Sequence, residues 1–225
     1  MRYTCVLLLG GSGERMGLGY NKVLYKVNGK KELYKYSLET FLSDQRCERI
    51  ILVVSDNDMD YFKKIDFGSN GNRIKITKGG KTRGESVLNG LDNVSSEYVM
   101  IHDAARPCLT LKELDMLSDS LMKYGTACLA SKVYDTISIN DGGYIDGYVD
   151  RNVISSIKTP QCFKTCEILD AYKKVVESGI SYTDDTSVYG KAYGKTRLVF
   201  TDSISIKATT KNDLRLLEAL LDENR

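Results

Sequence analysis

Cys5-Val6-Leu7-Leu8-Leu9 runs directly into Gly10-Gly11-Ser12-Gly13-Glu14-Arg15-Met16-Gly17-Leu18-Gly19-Tyr20-Asn21-Lys22. Five apolar residues in a row read as a strand covered on both faces, as in the parallel sheets of α/β proteins. A glycine-rich loop at the C-terminal end of a first strand is where open α/β sheets hold phosphate-bearing ligands. Glycine lets the backbone approach a ligand and turn its N–H groups toward anionic oxygens. The loop adds two cations, Arg15 and Lys22. Amides and cations together suit a triphosphate and stabilise charge that develops as it reacts.

Two better-known glycine loops are excluded. The dinucleotide fingerprint G-x-G-x-x-G ends in Gly or Ala and opens the helix of a short βαβ unit. Here Gly11-x-Gly13-x-x-Met16 ends in Met, and the next strong strand pattern, Arg49–Val54, lies well beyond it. The P-loop needs Gly-Lys-Ser/Thr after four spacer residues, and this loop has none.

Outward from the loop, the chain reads as alternating strands and helices. Strand patterns cover Tyr3–Leu9, Val23–Val27, Arg49–Val54, Ile74–Thr77, Tyr98–Ile101, Ala127–Val133 and Thr196–Phe200. Apolar residues at helical spacing mark Lys31–Leu42, Leu111–Tyr124 and Thr165–Ser178, with a short helix ending near Ile65. Thr82 with Glu85 reads as a capping box, Thr183 as the cap of a further helix, and Thr210 as the cap of a last helix reaching about Glu223. Asp135–Ile145 alternates at period two around Asn140-Asp141-Gly142-Gly143, a hairpin signal with no obvious place in a parallel sheet. It reads as an arm over about residues 136–152 that projects onto a partner. No repeat, low-complexity tract or linker divides residues 1–225, so a single domain is expected.

Composition removes several function classes. The 32 basic and 30 acidic residues nearly balance, which gives no support for nucleic-acid binding. No apolar run approaches a membrane span, and the N-terminal apolar run is too short for a secretory signal, so a cytoplasmic protein is expected. The six cysteines are scattered; four sit in or beside predicted core elements, and all read as reduced thiols. A single histidine, His102, rules out zinc sites built on several histidines, and there is no G-x-S-x-G elbow for a serine triad.

Chemistry-bearing residues gather after predicted strands. Gly79-Gly80 follows one, and Ser86 lies in the first turn of the next helix, either donating to a base or ribose or simply capping. His102-Asp103-Ala104-Ala105-Arg106-Pro107 follows another. Asp103 is a candidate for a metal or its waters and Arg106 for a phosphate; the structural alternative is an Asp103–Arg106 pair closing the loop. His102 reads as a hydrogen-bonded structural residue.

Eight motifs in order carry a resemblance: Gly10–Gly17 with Lys22, Gly79–Leu91, Ile101–Pro107, Asp135-Thr136, Asp150-Arg151, Thr159–Phe163, Thr183–Asp185 and Ile206-Lys207. Over essentially its whole length the chain resembles the 2-C-methyl-D-erythritol 4-phosphate cytidylyltransferases of the non-mevalonate isoprenoid pathway. The resemblance implies a Rossmann-like nucleotidyltransferase fold (glycosyltransferase-A-like), with a mixed, mostly parallel sheet and helices on both faces. It implies a homodimer in which the hairpin arm completes the neighbour's pocket. The implied reaction joins CTP and methylerythritol phosphate with Mg²⁺ and releases pyrophosphate. Arg15, Lys22 and Lys207 would stabilise the transition state, and Leu9, Gly10, Gly11, Ser12 and Gly13 would line the nucleotide. Gly79, Gly80 and Ser86 would recognise cytosine and ribose. Asp103, Ala104 and Arg106 would lie beside ribose, metal and polyol phosphate. Thr136 and Arg151 of the partner, with Thr159 and Thr183, would hold the polyol phosphate.

That chemistry suits the composition. A phosphate nucleophile is already ionised and needs no general base, only charge neutralisation and in-line positioning. The chain departs from the family pattern in four places. Asn21-Lys22-Val23 replaces Pro-Lys-Gln, which is expected to loosen the loop holding Lys22. Leu8-Leu9-Gly10 replaces small residues, Ser205 replaces Asn, and Lys81 replaces an acidic or polar residue. The rival readings are a ribitol-5-phosphate cytidylyltransferase, a non-catalytic nucleotide-binding protein and an NAD-dependent oxidoreductase, the last disfavoured by Met16.

Overall fold

The structure, a computed structural model, describes residues 1–11, 16–178, 182 and 184–222. Its strands are β1 (Tyr3–Leu8), β2 (Lys26–Val27), β3 (Lys31–Glu32), β4 (Cys47–Val54), β5 (Ile74–Lys78) and β6 (Tyr98–Asp103). They continue as β7 (Thr126–Lys132), β8 (Ile137–Asp141), β9 (Tyr144–Val149), β10 (Ser155–Lys164) and β11 (Leu198–Phe200). The helices are α1 (Leu33–Ser43), α2 (Met59–Lys63), α3 (Arg83–Leu91), α4 (Leu111–Tyr124), α5 (Thr165–Ser178), α6 (Asp185–Ala192) and α7 (Lys211–Asp222).

The apolar run in β1 works as its composition requires. Side chains alternate across a sheet, so an unbroken apolar strand must be covered on both sides. Tyr3, Cys5 and Leu7 enter one core cluster, while Val6 and Leu8 enter another. Ile50, Leu52 and Val54 of β4 join the first, and Ile51 and Val53 the second. Tyr34, Phe41, Phe62 and Leu117 bring α1, α2 and α4 onto the first face. Val87, Leu91, Ile168, Tyr172 and Val188 bring α3, α5 and α6 onto the second. Each such side chain, fully buried, contributes about 1.5–3 kcal/mol.

The sheet is mixed and mostly parallel, in the order β11-β7-β10-β6-β1-β4-β5. Every neighbouring pair is parallel except those of β10, which runs antiparallel to both β6 and β7. From β1 the chain steps outward to β4 and β5, then returns across β1 to form β6. This reversal opens a crevice at the C-terminal ends of β1 and β6, where open α/β sheets bind ligands. The register sets Leu8 beside Asp103, so the glycine loop and the charged strand tip meet there.

Three segments differ from expectation. Val23–Val27 is not one strand: Lys22–Leu24 forms a 3₁₀ turn and only Lys26–Val27 is extended, pairing with β3 around Asn28-Gly29. β10 occupies a central place although it contains Pro160, which cannot donate to a ladder. Its pairing with β7 shifts register between Ile157 and Gln161, so the proline sits at an irregularity. α6 is capped by Asp184, whose side chain accepts from the Ser187 N–H; Thr183 lies outside the described residues.

The hairpin is present where its sequence places it. β8 and β9 pair only with each other. Tyr144 and Tyr148 are 82% and 69% exposed, and Ile139 and Ile145 are also open. At the other end of the chain, α7 packs Leu214 and Leu217 onto Met16, Leu33 and Ala105. The Ala208 N–H donates to the Ala105 carbonyl at 2.8 Å, fixing the preceding segment, with Lys207, beside the tip of β6. No helix among the described residues is long and apolar enough to cross a membrane.

Candidate active site

Two cavities meet at the C-terminal end of β6. The first, about 320 Å³, lies over the glycine loop and the Gly79-Gly80 turn, and Lys22, Ser55 and Ser86 also line it. The second, about 420 Å³, is lined by Arg106, Lys158, Thr159, Gln161 and Asp184. Arg83, Asp103 and Lys207 line both. Of the sequence-predicted candidates, Gly10, Gly11, Lys22, Gly79, Gly80 and Ser86 line the first space, Arg106 and Thr159 the second, and Asp103 and Lys207 the charged wall between them.

The glycine turn is built by α3. Thr82 caps the helix, accepting from the Glu85 N–H at 3.1 Å. The Glu85 carboxylate accepts from the Lys81 N–H at 2.7 Å, so the expected reciprocal bond to Thr82 is replaced by one that tightens the turn a residue earlier. The Ser86 hydroxyl donates to the Thr82 carbonyl and accepts from the Gly80 N–H at 3.0 Å. A Cβ on Gly80 would stand 2.2 Å from that of Glu85, a contact that no rotamer change relieves, so only glycine fits. The turn presents backbone and the Ser86 side chain to the cavity without a side-chain barrier.

The shared wall is a chain of alternating charges. Lys207 Nζ donates to Asp103 Oδ2 at 2.6 Å. Asp103 Oδ1 lies 3.5 Å from Arg83. Arg83 grips Asp185 with two parallel bonds, at 2.7 and 2.8 Å, and the Tyr172 hydroxyl donates to the same carboxylate. Asp185 is fully buried. Burial alone would raise the Asp103 carboxyl, but the charges of Arg83 and Lys207 hold it below the usual carboxylate range. The expected alternative, Asp103 paired with Arg106, is not what forms. Arg106 Nη1 donates to the Ser205 carbonyl at 3.0 Å, and its Nε is buried with no hydrogen-bond partner among the described residues.

His102 is the structural residue that its sequence position suggests. It is fully buried, with Nδ1 at 3.0 Å from the Thr159 hydroxyl and Nε2 at 3.2 Å from the Arg106 carbonyl. Burial pushes its pKa down to about 4, so it is neutral at physiological pH. The Thr159 hydroxyl also accepts from the Asp103 N–H at 3.1 Å, which fixes the strand tip that carries Asp103.

The turn that carries Lys22 is braced by the Asn21 side chain. Asn21 Nδ2 donates to the Leu9 carbonyl at 2.6 Å and to Asp58 Oδ2 at 2.7 Å, and its Oδ1 accepts from the Val23 N–H at 3.2 Å. These three bonds oppose the loosening expected from the missing proline.

Other candidates are placed as follows. Gly10 and Gly11 line the first cavity with Leu8 and Ala105, while Leu9 and Ala104 are fully buried behind that wall. Thr136 and Arg151 are exposed at the base of the arm, Arg151 donating to the Tyr134 carbonyl at 2.6 Å, and neither lines either cavity. Ser12, Gly13, Arg15 and Thr183 lie outside the described residues. Two residues escaped the sequence reading. Lys158 stands beside Arg106, and burial, then the Arg106 charge, lowers its pKa. Arg83 carried a signal: it opens α3, where the helix macrodipole disfavours a cation, so a carboxylate partner was implied.

The chain matches the sequence profile of IspD, 2-C-methyl-D-erythritol 4-phosphate cytidylyltransferase, over residues 4–223. It is 34% identical over 228 residues to the 2-C-methyl-D-erythritol 4-phosphate cytidylyltransferase of Geobacillus thermodenitrificans (strain NG80-2), covering 98% of this chain and 97% of that one. It is 35% identical over 231 residues to the protein of the same name from Clostridium novyi (strain NT), covering 99% and 98%. Among solved structures, the 4-diphosphocytidyl-2C-methyl-D-erythritol synthase of Anaerococcus prevotii DSM 20548 superposes with a TM-score of 0.83 at 28% identity, over 98% of this chain and 96% of that one. With a nucleotide-sized cleft at the strand tips, an adjoining cationic cavity and full-length matches of this kind, the chain belongs to the 2-C-methyl-D-erythritol 4-phosphate cytidylyltransferase family.

Proposed function

We propose that this enzyme transfers the cytidylyl group of CTP to 2-C-methyl-D-erythritol 4-phosphate, giving 4-diphosphocytidyl-2-C-methyl-D-erythritol and pyrophosphate. The observation that carries the reading is the wall common to two cavities. CTP occupies the cavity over the glycine loop, its base at Gly79, Gly80 and Ser86 and its triphosphate toward Gly10, Gly11 and Lys22. The polyol phosphate occupies the second cavity, its phosphate near Arg106 and Lys158. A phosphate oxygen of the acceptor forms the new bond to the α-phosphorus as the bond to the bridging oxygen of pyrophosphate breaks. The pentavalent centre then lies at the wall, where Lys207 faces it and Lys22 faces the leaving pyrophosphate; Arg15 is assigned to the same charge neutralisation by its place in the sequence motif. No side chain has to remove a proton, which agrees with a buried neutral His102.

A divalent cation fits as a passenger of the nucleotide. No group of three metal-ligating side chains forms among the described residues, and Asp103 is the only carboxylate among the described residues lining the first cavity. Mg²⁺ is commonly held by substrate phosphates and one or two carboxylates, so Asp103 would reach it or its waters. When bound it supplies charge neutralisation on the triphosphate.

The test is pyrophosphate release from CTP and Mg²⁺ with methylerythritol 4-phosphate and ribitol 5-phosphate offered separately. Release with the first and not the second is expected. Release with ribitol phosphate alone would move the enzyme to polymer-precursor synthesis.

The arm supports a homodimer. A hairpin exposed on both faces with open Tyr144, Ile145 and Tyr148 is not stable surface for an isolated protomer. Thr136 and Arg151 at its base then enter the partner's second cavity. Arg151→Ala is expected to raise KM for the polyol phosphate about tenfold or more, the cost of a lost charged hydrogen bond, with KM for CTP little changed. Sedimentation as a monomer at assay concentration would remove the shared pocket. A cytoplasmic location is part of the same proposal, and fractionation of cells tests it.

A further inference from the structure

Asn21 is 6% exposed and fully engaged by its surroundings. An asparagine amide offers two N–H donors and one carbonyl acceptor. Here one N–H meets the Leu9 carbonyl, the other meets Asp58 Oδ2, and the oxygen meets the Val23 N–H. Two acceptors and one donor around the group permit only one orientation of the amide. The three partners belong to three segments: the end of the strand that enters the glycine loop, the loop after β4, and the turn that carries Lys22.

The brace reaches the nucleotide cleft at both ends. Asp58 Oδ2 also accepts from the Ser55 hydroxyl at 2.6 Å, and Ser55 lines the cleft. Lys22 directly follows Asn21, and its Cε lies 3.9 Å from where a Cβ on Gly11 would be, so its side chain runs over the glycine loop. The Asn21 backbone sits at φ −64°, ψ 122°, the φ that a proline ring would impose. Here a side-chain network holds what a proline would hold covalently.

We infer that Asn21, locked by Leu9 and Asp58, is a positioning residue for Lys22, fixing where that ammonium meets the triphosphate, with Asp58 and Ser55 as the far end of the brace. The inference rests on the reading of Lys22 as a transition-state cation. A cation displaced by a fraction of an ångström still attracts a polyphosphate over several ångströms, so ground-state binding suffers little. It loses alignment with charge that develops only in the transition state, so turnover suffers more.

The experiment is steady-state kinetics on Asn21→Asp, Asn21→Ala and Asp58→Ala, each also made in a Lys22→Ala background, with thermal midpoints measured alongside. Asn21→Asp keeps the shape and the acceptor but removes both donors and sets a second carboxylate against Asp58, whereas Asn21→Ala removes the bonds without adding charge. In the parent background kcat is expected to fall about tenfold or more for all three, with KM for CTP within about threefold. In the Lys22→Ala background the same substitutions are expected to change kcat by less than about twofold, because the group they position is gone. Asp58 is only half-buried, so Asp58→Ala keeps the test alive if the Asn21 variants misfold. If Lys22→Ala leaves turnover intact, the reading of Lys22 fails. If Lys22→Ala lowers turnover to a measurable residual while Asn21 and Asp58 variants match the parent, or cost the same in both backgrounds, the positioning role is overturned.

Discussion

Lys207→Ala is expected to lower kcat by about 10²–10³-fold, the loss of about 2.7–4 kcal/mol that follows removal of one donor aimed at developing charge. Lys207 Nζ stands 2.6 Å from Asp103 Oδ2 on the wall that both cavities share. No other lysine among the residues described as lining either cavity lines both. Its removal also deprives Asp103 of the nearer of two cations, leaving Arg83 at 3.5 Å to balance a buried carboxylate. The loss should therefore appear in kcat more than in KM for CTP, since other groups on the first cavity still hold the nucleotide. Lys207→Arg keeps the charge but not the reach of the ammonium and should recover part of the loss. Pyrophosphate release under saturating substrates reads the effect, and a kcat within about threefold of the parent would remove Lys207 from the reaction centre.

Arg83→Met is expected to destabilise the fold by about 3–5 kcal/mol, because it strands a buried charge. Asp185 is wholly inside the protein, and Arg83 is its only cation among the described ion pairs. Without Arg83 the carboxylate keeps the Tyr172 hydroxyl but loses both charge-assisted bonds. Adding Asp185→Asn removes the stranded charge, so the double variant should be more stable than Arg83→Met alone, and the two effects should not add. Urea midpoints at constant slope measure this directly. A single-variant cost below about 1 kcal/mol, in the range of an exposed ion pair, would show that the pair contributes nothing special to the fold.

The residues that carried the fold in the sequence were those whose neighbours in the chain determine their role. The apolar run at Cys5–Leu9 had to be a doubly covered strand, and it is as far as Leu8, with Leu9 buried just past its end. Thr210 had an acidic residue three positions on and caps α7 as read, accepting from the Asp213 N–H at 3.3 Å. The hairpin followed from alternation and a Gly142-Gly143 turn. What escaped depends on distant partners. Arg83 acquires its role from Asp185, 102 positions away, and from Asp103, 20 away. Asp103 chose Lys207, not the adjacent Arg106, because α7 and the segment before it fold back against Ala105. β10 was illegible as a central strand because Pro160 argues against one, and the register shift that accommodates it has no sequence signature. Asn21 looked like a weakened proline because its three partners lie on other segments or are backbone groups.

Arg83, Asp103 and Lys207 form a boundary that belongs to both cavities. Two ligands on either side of it cannot bind independently, since each alters the charge the other meets there. Thermodynamic linkage then makes the effect reciprocal: whatever factor the nucleotide imposes on affinity for the acceptor, the acceptor imposes on affinity for the nucleotide. The sign of that coupling is set by whether the incoming anion draws Lys207 away from Asp103 or is balanced beside it. In the proposed reading, the same three side chains therefore also make each substrate a modulator of the other's binding.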